Sequence, residues 1–135
     1  MKVFEKTIPN IIAFLESAAD QACKGIPLVT PFGRQRRFFL VTPQNRHDVR
    51  NEAKSFYAQS IASDIVLEAA CRLTEQGVFI VNLVHDAIYA DHPHSEAMEV
   101  RDLISHTMIE VGEEVTEGYV KFATEGKIGR SWAHV

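Results

Sequence analysis

From Val78 to Ala90 the chain is almost wholly apolar except at its middle, where His85-Asp86 interrupts the run. Two apolar segments of strand length separated by two polar residues have the spacing of a tight hairpin, so the pattern commits this region to a small antiparallel sheet of buried strands. An aspartate then stands at the lip of that sheet as a single hard oxygen donor. Hard cations such as Mg²⁺ take carboxylates, typically one or two of them plus substrate phosphates, so Asp86 is half of such a site. Taken alone, Asp86 equally suits a turn residue whose side chain bonds the backbone.

The flanking periodicities complete the fold class. Ile8, Ile11, Ile12, Leu15, Ala18, Ala19 and Ala22 recur at helical spacing behind Thr7, a capping residue, and Gly25 ends the helix. Ile26–Thr30 and Arg34–Val41 read as two extended pieces around Pro31-Phe32-Gly33, a second hairpin. From about Asp48 to Gln76 no Gly or Pro intervenes, and Ala53, Tyr57, Ile61 and Ile65 form an i, i+4 row, predicting a long helix that stops at Gly77. Pro93 opens a helix along Ala97, Val100, Ile104, Met108 and Val111, and Tyr119–Thr124 alternates as a last strand. The order predicts an α+β unit spanning residues 1–135, with three helices, an N-terminal hairpin and a small antiparallel sheet that includes the C-terminal strand. Within it, 1–47 hold the first helix and basic hairpin, and 48–135 the rest.

Composition excludes several classes. At 135 residues and 46% hydrophobic, one globular unit can bury roughly two thirds of its unfolded surface. No stretch approaches the roughly 20 apolar residues of a membrane helix, and no apolar run follows Met1-Lys2, which points to a cytoplasmic protein with no membrane partner. Cys23 and Cys71 lie far apart without a CxxC partner, which argues against disulfides and cysteine zinc sites and for two reduced, buried thiols. The net charge is −4. It is uneven: between residues 34 and 54, six cations (Arg34, Arg36, Arg37, Arg46, Arg50 and Lys54) face only Asp48 and Glu52, leaving +4 there and −8 elsewhere. Such a stripe suits phosphate-backbone contact on one face, although composition alone leans to a solvated arginine loop.

Two further constellations stand out. His85, Asp86, Asp91, His92 and His94 have metal-hydrolase composition, but the pair interrupts strands and His92-Pro93-His94 begins a helix, so His92 and His94 read as exposed helix-start residues. On the long helix, Ser55, Gln59 and Ser63 stand four apart. Gln59 suits donation to minor-groove acceptors, which occupy similar places in every correct base pair, although such a trio is more often a plain polar face.

In order, these residues resemble the C-terminal part of family A DNA polymerases, the DNA polymerase I type, especially phage members, from near Phe4 to His134. Thr30-Pro31-Phe32-Gly33-Arg34-Gln35-Arg36-Arg37-Phe38 is similar to the T-x-x-G-R-x-R hairpin that follows the fingers. Asn51-Glu52-Ala53-Lys54-Ser55 through Gln59-Ser60-Ile61-Ala62-Ser63-Asp64-Ile65 resembles the helix pattern R-x-A-x-N-x-x-x-Q-G/S-x-A-x-D-I. Val84-His85-Asp86-Ala87 is similar to the V-H-D-E of motif C, and Gly129-Arg130-Ser131-Trp132-Ala133-His134 to the family's G-x-x-W-x-x-A-H end. Four motifs in register are very specific.

The resemblance implies a palm-type sheet in which Asp86 is one of two metal-binding aspartates and His85 lies beside the primer terminus. It implies that Gln59, with Ser55 and Asn51, faces the minor groove, and that Arg34, Arg36, Arg37 and Arg50 hold duplex backbone. Three positions depart from it. Asn51 replaces the usual Arg, with Arg50 adjacent; Ser55 replaces Asn; Ala87 replaces the Glu after the aspartate. The first metal aspartate, in a D-Y-S-x-I-E-like strand, and the fingers helix R-x-x-x-K-x-x-x-F-G have no counterpart. The expectation is therefore the small C-terminal piece of a split DNA-directed DNA polymerase, a nucleotidyltransferase inactive alone. It would act on primer–template DNA and dNTP with two Mg²⁺ ions, joined to a larger N-terminal fragment that carries the other aspartate and the fingers helix. That fragment is expected to cover the apolar edge of Val78–Val84. The alternative is a non-catalytic DNA-binding remnant of a palm.

Overall fold

The computed structural model describes residues 7–131 and is α+β. In chain order it has α1 (Pro9–Cys23), β1 (Leu28–Val29), β2 (Gln35–Arg36), α2 (Arg46–Glu75), β3 (Ile80–Val84), β4 (Ala87–Ala90) and α3 (Ala97–Val115). The strands form two separate antiparallel pairs, β1 with β2 and β3 with β4. The chain divides into two compact units, residues 1–61 and 62–135, which share α2.

In the first unit, α1 begins on Pro9, with Ile8 rather than Thr7 in the N-cap position and no side-chain cap. Proline suits that start because its missing N–H would have no helical partner. The helix closes with the Gly25 N–H bonded to the Ala22 carbonyl and the Ile26 N–H to the Gln21 carbonyl, the paired closure that a left-handed residue after the C-cap allows. Thr30-Pro31-Phe32-Gly33 then turns the chain: the Gly33 N–H donates to the Thr30 carbonyl at 2.9 Å, and Gly33 has φ 82°. The hairpin registers Leu28 with Arg36 and Val29 with Gln35 and goes no further, shorter than its extended pattern predicts. Ala18, Ala22 and Ala53 are small enough to admit Leu28, Phe38, Val49 and Phe56 into one core.

In the second unit, α2 ends at Gly77, φ 85°, with the Val78 N–H on the Leu73 carbonyl at 3.0 Å. Leu73 and Val78 are both buried, so the hydrophobic contact that accompanies this closure fixes where β3 starts. Arg72 bridges Glu68 at 3.0 Å and Glu114 at 2.7 Å, tying α2 to α3.

Several expectations give way. Residues 119–124 form no strand, because a strand needs a neighbour for its backbone groups and this segment has none. The apolar run is half-buried rather than buried: Phe79, just before β3, is 65% exposed and Val81, within it, 50%. A sheet of two strands cannot cover both of its faces. Cys71 is exposed on the outer side of α2, between buried Ala70 and Leu73, and Cys23 is half-buried; both are free thiols. Pro93 opens a turn and α3 itself starts at Ala97. Trp132, Ala133 and His134 lie outside the described residues. Among the described residues, no helix is long and apolar enough to cross a membrane.

Candidate active site and duplex face

In the second unit, β3 and β4 meet through a two-residue loop, His85-Asp86, with Val84 opposite Ala87 and Leu83 opposite Ile88. His85 has φ 55° and Asp86 a negative φ. Positive φ at the first loop position alone is the pattern of a type II′ turn, which ordinarily takes glycine there. Asp86 is exposed, and its side chain has no hydrogen bond or ion pair with any described residue. The carboxylate is thus not spent on holding the turn and remains available as a donor. A bulge between Ile80 and Asn82 twists the far end of the hairpin.

His92, expected to be exposed, has a side chain only 15% exposed. Its Nε2 accepts the Phe79 N–H at 2.9 Å, so its proton sits on Nδ1, which donates toward Glu96 Oε2 at 3.5 Å. That role ties the base of the hairpin and takes His92 away from any metal. Among the described residues no three His, Cys, Asp or Glu side chains gather as a metal cluster, which leaves the metal-hydrolase reading without a site.

The first unit carries the basic stripe, and the structure shows what faces it. Arg50 bonds Asp20 at 2.5 Å and also reaches Glu16, while Lys54 bonds Glu16 at 2.5 Å. Lys54 and then Arg50 hold the Glu16 carboxyl below its ordinary range, and Arg50 does the same to Asp20. Both acids in turn raise the Arg50 guanidinium, Asp20 most. Arg36 pairs with Glu52 and lies 5.3 Å from the centre of the Phe38 ring. Arg37 is exposed and bonds Gln35 at 3.3 Å; Arg34 is exposed, and its N–H donates to Thr30 Oγ1 at 3.2 Å.

On α2, Asn51 bonds His47 across one turn at 3.0 Å, and the half-buried Ser55 hydroxyl donates back to the Glu52 carbonyl at 3.0 Å. Gln59 is exposed with no hydrogen bond to a described residue, leaving both of its donors available. The residues that sequence reading missed here are the partners Glu16, Asp20 and Glu52. Glu52, sixteen residues from Arg36, was visible only as an acid within the stripe; Glu16 and Asp20 carried no local signal, since their cations lie 30 to 38 residues away.

Residues 1–134 match the sequence model of a known family, described as DNA polymerase family A. The chain belongs to DNA polymerase family A. No curated protein matches it at a significant level. The family's chemistry is nucleotidyl transfer with a divalent metal. An unpartnered carboxylate on a short loop fits one donor of a hard-cation site, and the remaining oxygens would have to come from substrate phosphates and further carboxylates.

Proposed function

We propose that this chain is the C-terminal palm piece of a split, phage-like DNA-directed DNA polymerase, contributing Asp86 to the metal site and a duplex-contacting face to an enzyme completed by a larger fragment. The observation that carries the reading is the free Asp86 carboxylate at the tip of a hairpin in a chain that matches the family over 1–134. In the assembled enzyme Asp86 supplies anionic oxygens to Mg²⁺, and the second aspartate and the fingers helix come from the partner. What bound divalent cations supply there is activation of the primer 3′-hydroxyl and charge stabilisation on the leaving pyrophosphate. His85, held by the turn, sits beside the primer terminus. Gln59 donates to minor-groove acceptors common to all correct pairs, with Asn51 and Ser55 along the same helix face. Arg34 and Arg37 contact phosphates. Arg36 and Arg50 do so by exchanging Glu52, Glu16 and Asp20 for DNA.

Two observations favour the second reading, a non-catalytic DNA-binding remnant: Ala87 offers no carboxylate and Ser55 is turned back onto Glu52. Primer extension separates the two. Asp86→Asn keeps the volume and removes the anionic ligand, so extension by the assembled enzyme should fall by at least about a hundredfold with the melting temperature unchanged. Extension within a few-fold of the parent protein would overturn the metal assignment.

A further inference from the structure

From Pro31 to Leu40 the first unit presents a run to solvent in which only Phe38 is buried. The run holds Arg34, Arg36 and Arg37, the phenylalanines Phe32, Phe38 and Phe39, and no acid. Its side chains alternate. Arg37 bonds Gln35, two residues before it, at 3.3 Å, while Arg36 lies 5.3 Å from the centre of the Phe38 ring, two residues after it. Gln35, Arg37 and Phe39 therefore share the outer side, and Arg36 and Phe38 the other, where Phe38 joins the core.

Two groups on the outer side are unspent. Phe39 is 76% exposed, and its ring meets no other ring or cation among the described residues. Arg37 bonds a neutral amide, so no described acid offsets its charge, whereas Arg36 is offset by Glu52. Residues two apart on an extended chain stand roughly 6.6 Å from one another, so the guanidinium and the ring reach one small ligand together. The backbone that carries them is held on both sides of Phe39. Phe38 is fixed in the core, and beyond it Asn45 donates to the Leu40 carbonyl at 3.1 Å and accepts the Thr42 N–H at 2.8 Å. The ring is therefore displayed by a fixed turn and not by a loose end.

A bare aromatic face beside an uncompensated cation selects its occupant. Paired bases inside a duplex stack on one another and offer only their edges in the grooves. An unpaired base has an open face, and stacking on an aromatic ring serves every base alike. Its own phosphate lies one sugar away, within the span of the two side chains. An acidic peptide would satisfy Arg37 and leave the flat ring without a flat partner, while an apolar one would cover the ring at the expense of burying cations. A nucleotide in a single strand satisfies both.

We infer that Phe39 is a stacking residue for an unpaired base of single-stranded DNA, with Arg37 on the adjoining phosphate, so that this turn marks the point where duplex gives way to single strand. Arg37 then serves the last paired phosphate and Phe39 the first open base. Recognition is blind to sequence, because a π-face is common to all bases. That the strand is the template ahead of a primer rests on the split-polymerase reading above.

The test titrates the full chain, by fluorescence anisotropy at low salt, onto a labelled thymidine oligonucleotide of about 12 residues and onto a backbone of equal length whose sugars carry no bases. Phe39→Ala should weaken binding to the thymidine strand about tenfold and leave binding to the abasic strand within about twofold. Phe39→Trp should restore the loss. Leu40→Ala, which removes a neighbouring side chain that is 88% exposed, should change neither, and Arg37→Ala should weaken both. Equal binding of the thymidine strand by the parent chain and Phe39→Ala would overturn the proposal, and so would an equal loss on both strands. With the larger fragment added, Phe39→Ala should raise the amount of long-overhang template needed for half-maximal extension about tenfold. Base-dependent binding by the chain alone, with extension indifferent to Phe39→Ala, would support the stacking site, refute the template assignment and keep the split reading. Base-dependent binding with no response to the larger fragment would support the site and refute the split reading.

Discussion

His85 holds a backbone conformation that a residue with a Cβ enters at a cost of about 1–2 kcal/mol. Glycine would remove that strain, and its extra freedom in the unfolded chain costs roughly 0.5–1 kcal/mol in return, so His85→Gly should leave stability nearly unchanged. On the proposed function, the strain is kept because the His85 side chain acts beside the primer terminus. His85→Gly is therefore expected to keep the melting temperature within a few degrees while lowering primer extension by the assembled enzyme about tenfold or more. Undiminished extension would assign His85 to the turn alone. Leu40 is the contrasting case, with φ 54° and 88% exposure. Its carbonyl accepts from Asn45, which also receives the Thr42 N–H at 2.8 Å, so that strain belongs to the entry of α2 and not to chemistry.

The pair α1 and the first half of α2 is held by Glu16 and Asp20 against Arg50 and Lys54. Both carboxyls sit below their ordinary range in the folded protein, so the unfolded chain binds more protons and stability rises with pH through that window. The contribution is complete above about pH 5 and is lost as pH falls through about 4 and below. The melting temperature should accordingly drop on acidification across that range, and Glu16→Gln with Asp20→Asn should flatten the profile; an unchanged profile would mean the bridges are too well solvated to matter. The same pairing sharpens what the hairpin arginines should do. Alanine at Arg37 should lower the log–log salt slope of duplex binding by roughly 0.9, similarly on all sequences, whereas Arg36→Ala should lower it less because Glu52 already offsets its charge. Equal effects at both would show that DNA displaces Glu52 fully. The helices and both turns were legible because their signals are local: an i, i+4 row, a proline, a glycine closing each of α1 and α2. The loop position of Asp86 was legible for the same reason, as a polar break in an apolar run. The strand at 119–124 was misread because alternation gives a face, while pairing needs a neighbour. The internal neutralisation of the stripe was hidden because its partners lie 30 to 38 residues away on another helix.

For the whole molecule, charge and exposed apolar surface pull in opposite directions. Outside residues 34–54 the chain carries −8, which keeps copies apart at low ionic strength. Against this, among the described residues the β3–β4 pair leaves both edges unpaired and Phe79 and Val81 are exposed, the kind of edge that soluble proteins normally cover. Salt distinguishes the two ways copies can meet. If the basic stripe of one copy sought the acidic body of another, added salt would separate them, since exposed charges more than about 10 Å apart are screened at 0.1 M. If edges and apolar side chains meet, salt removes the repulsion and leaves the attraction intact. The isolated chain is therefore expected to self-associate at micromolar concentration, with a sedimentation-average mass that rises between about 0.05 and 0.5 M NaCl. The larger fragment should reverse this by covering the open sheet edge, giving a heteromer that extends a primed template when neither piece does so alone. A monomer at every salt concentration that ignores the larger fragment would count against both the open edge and the split enzyme.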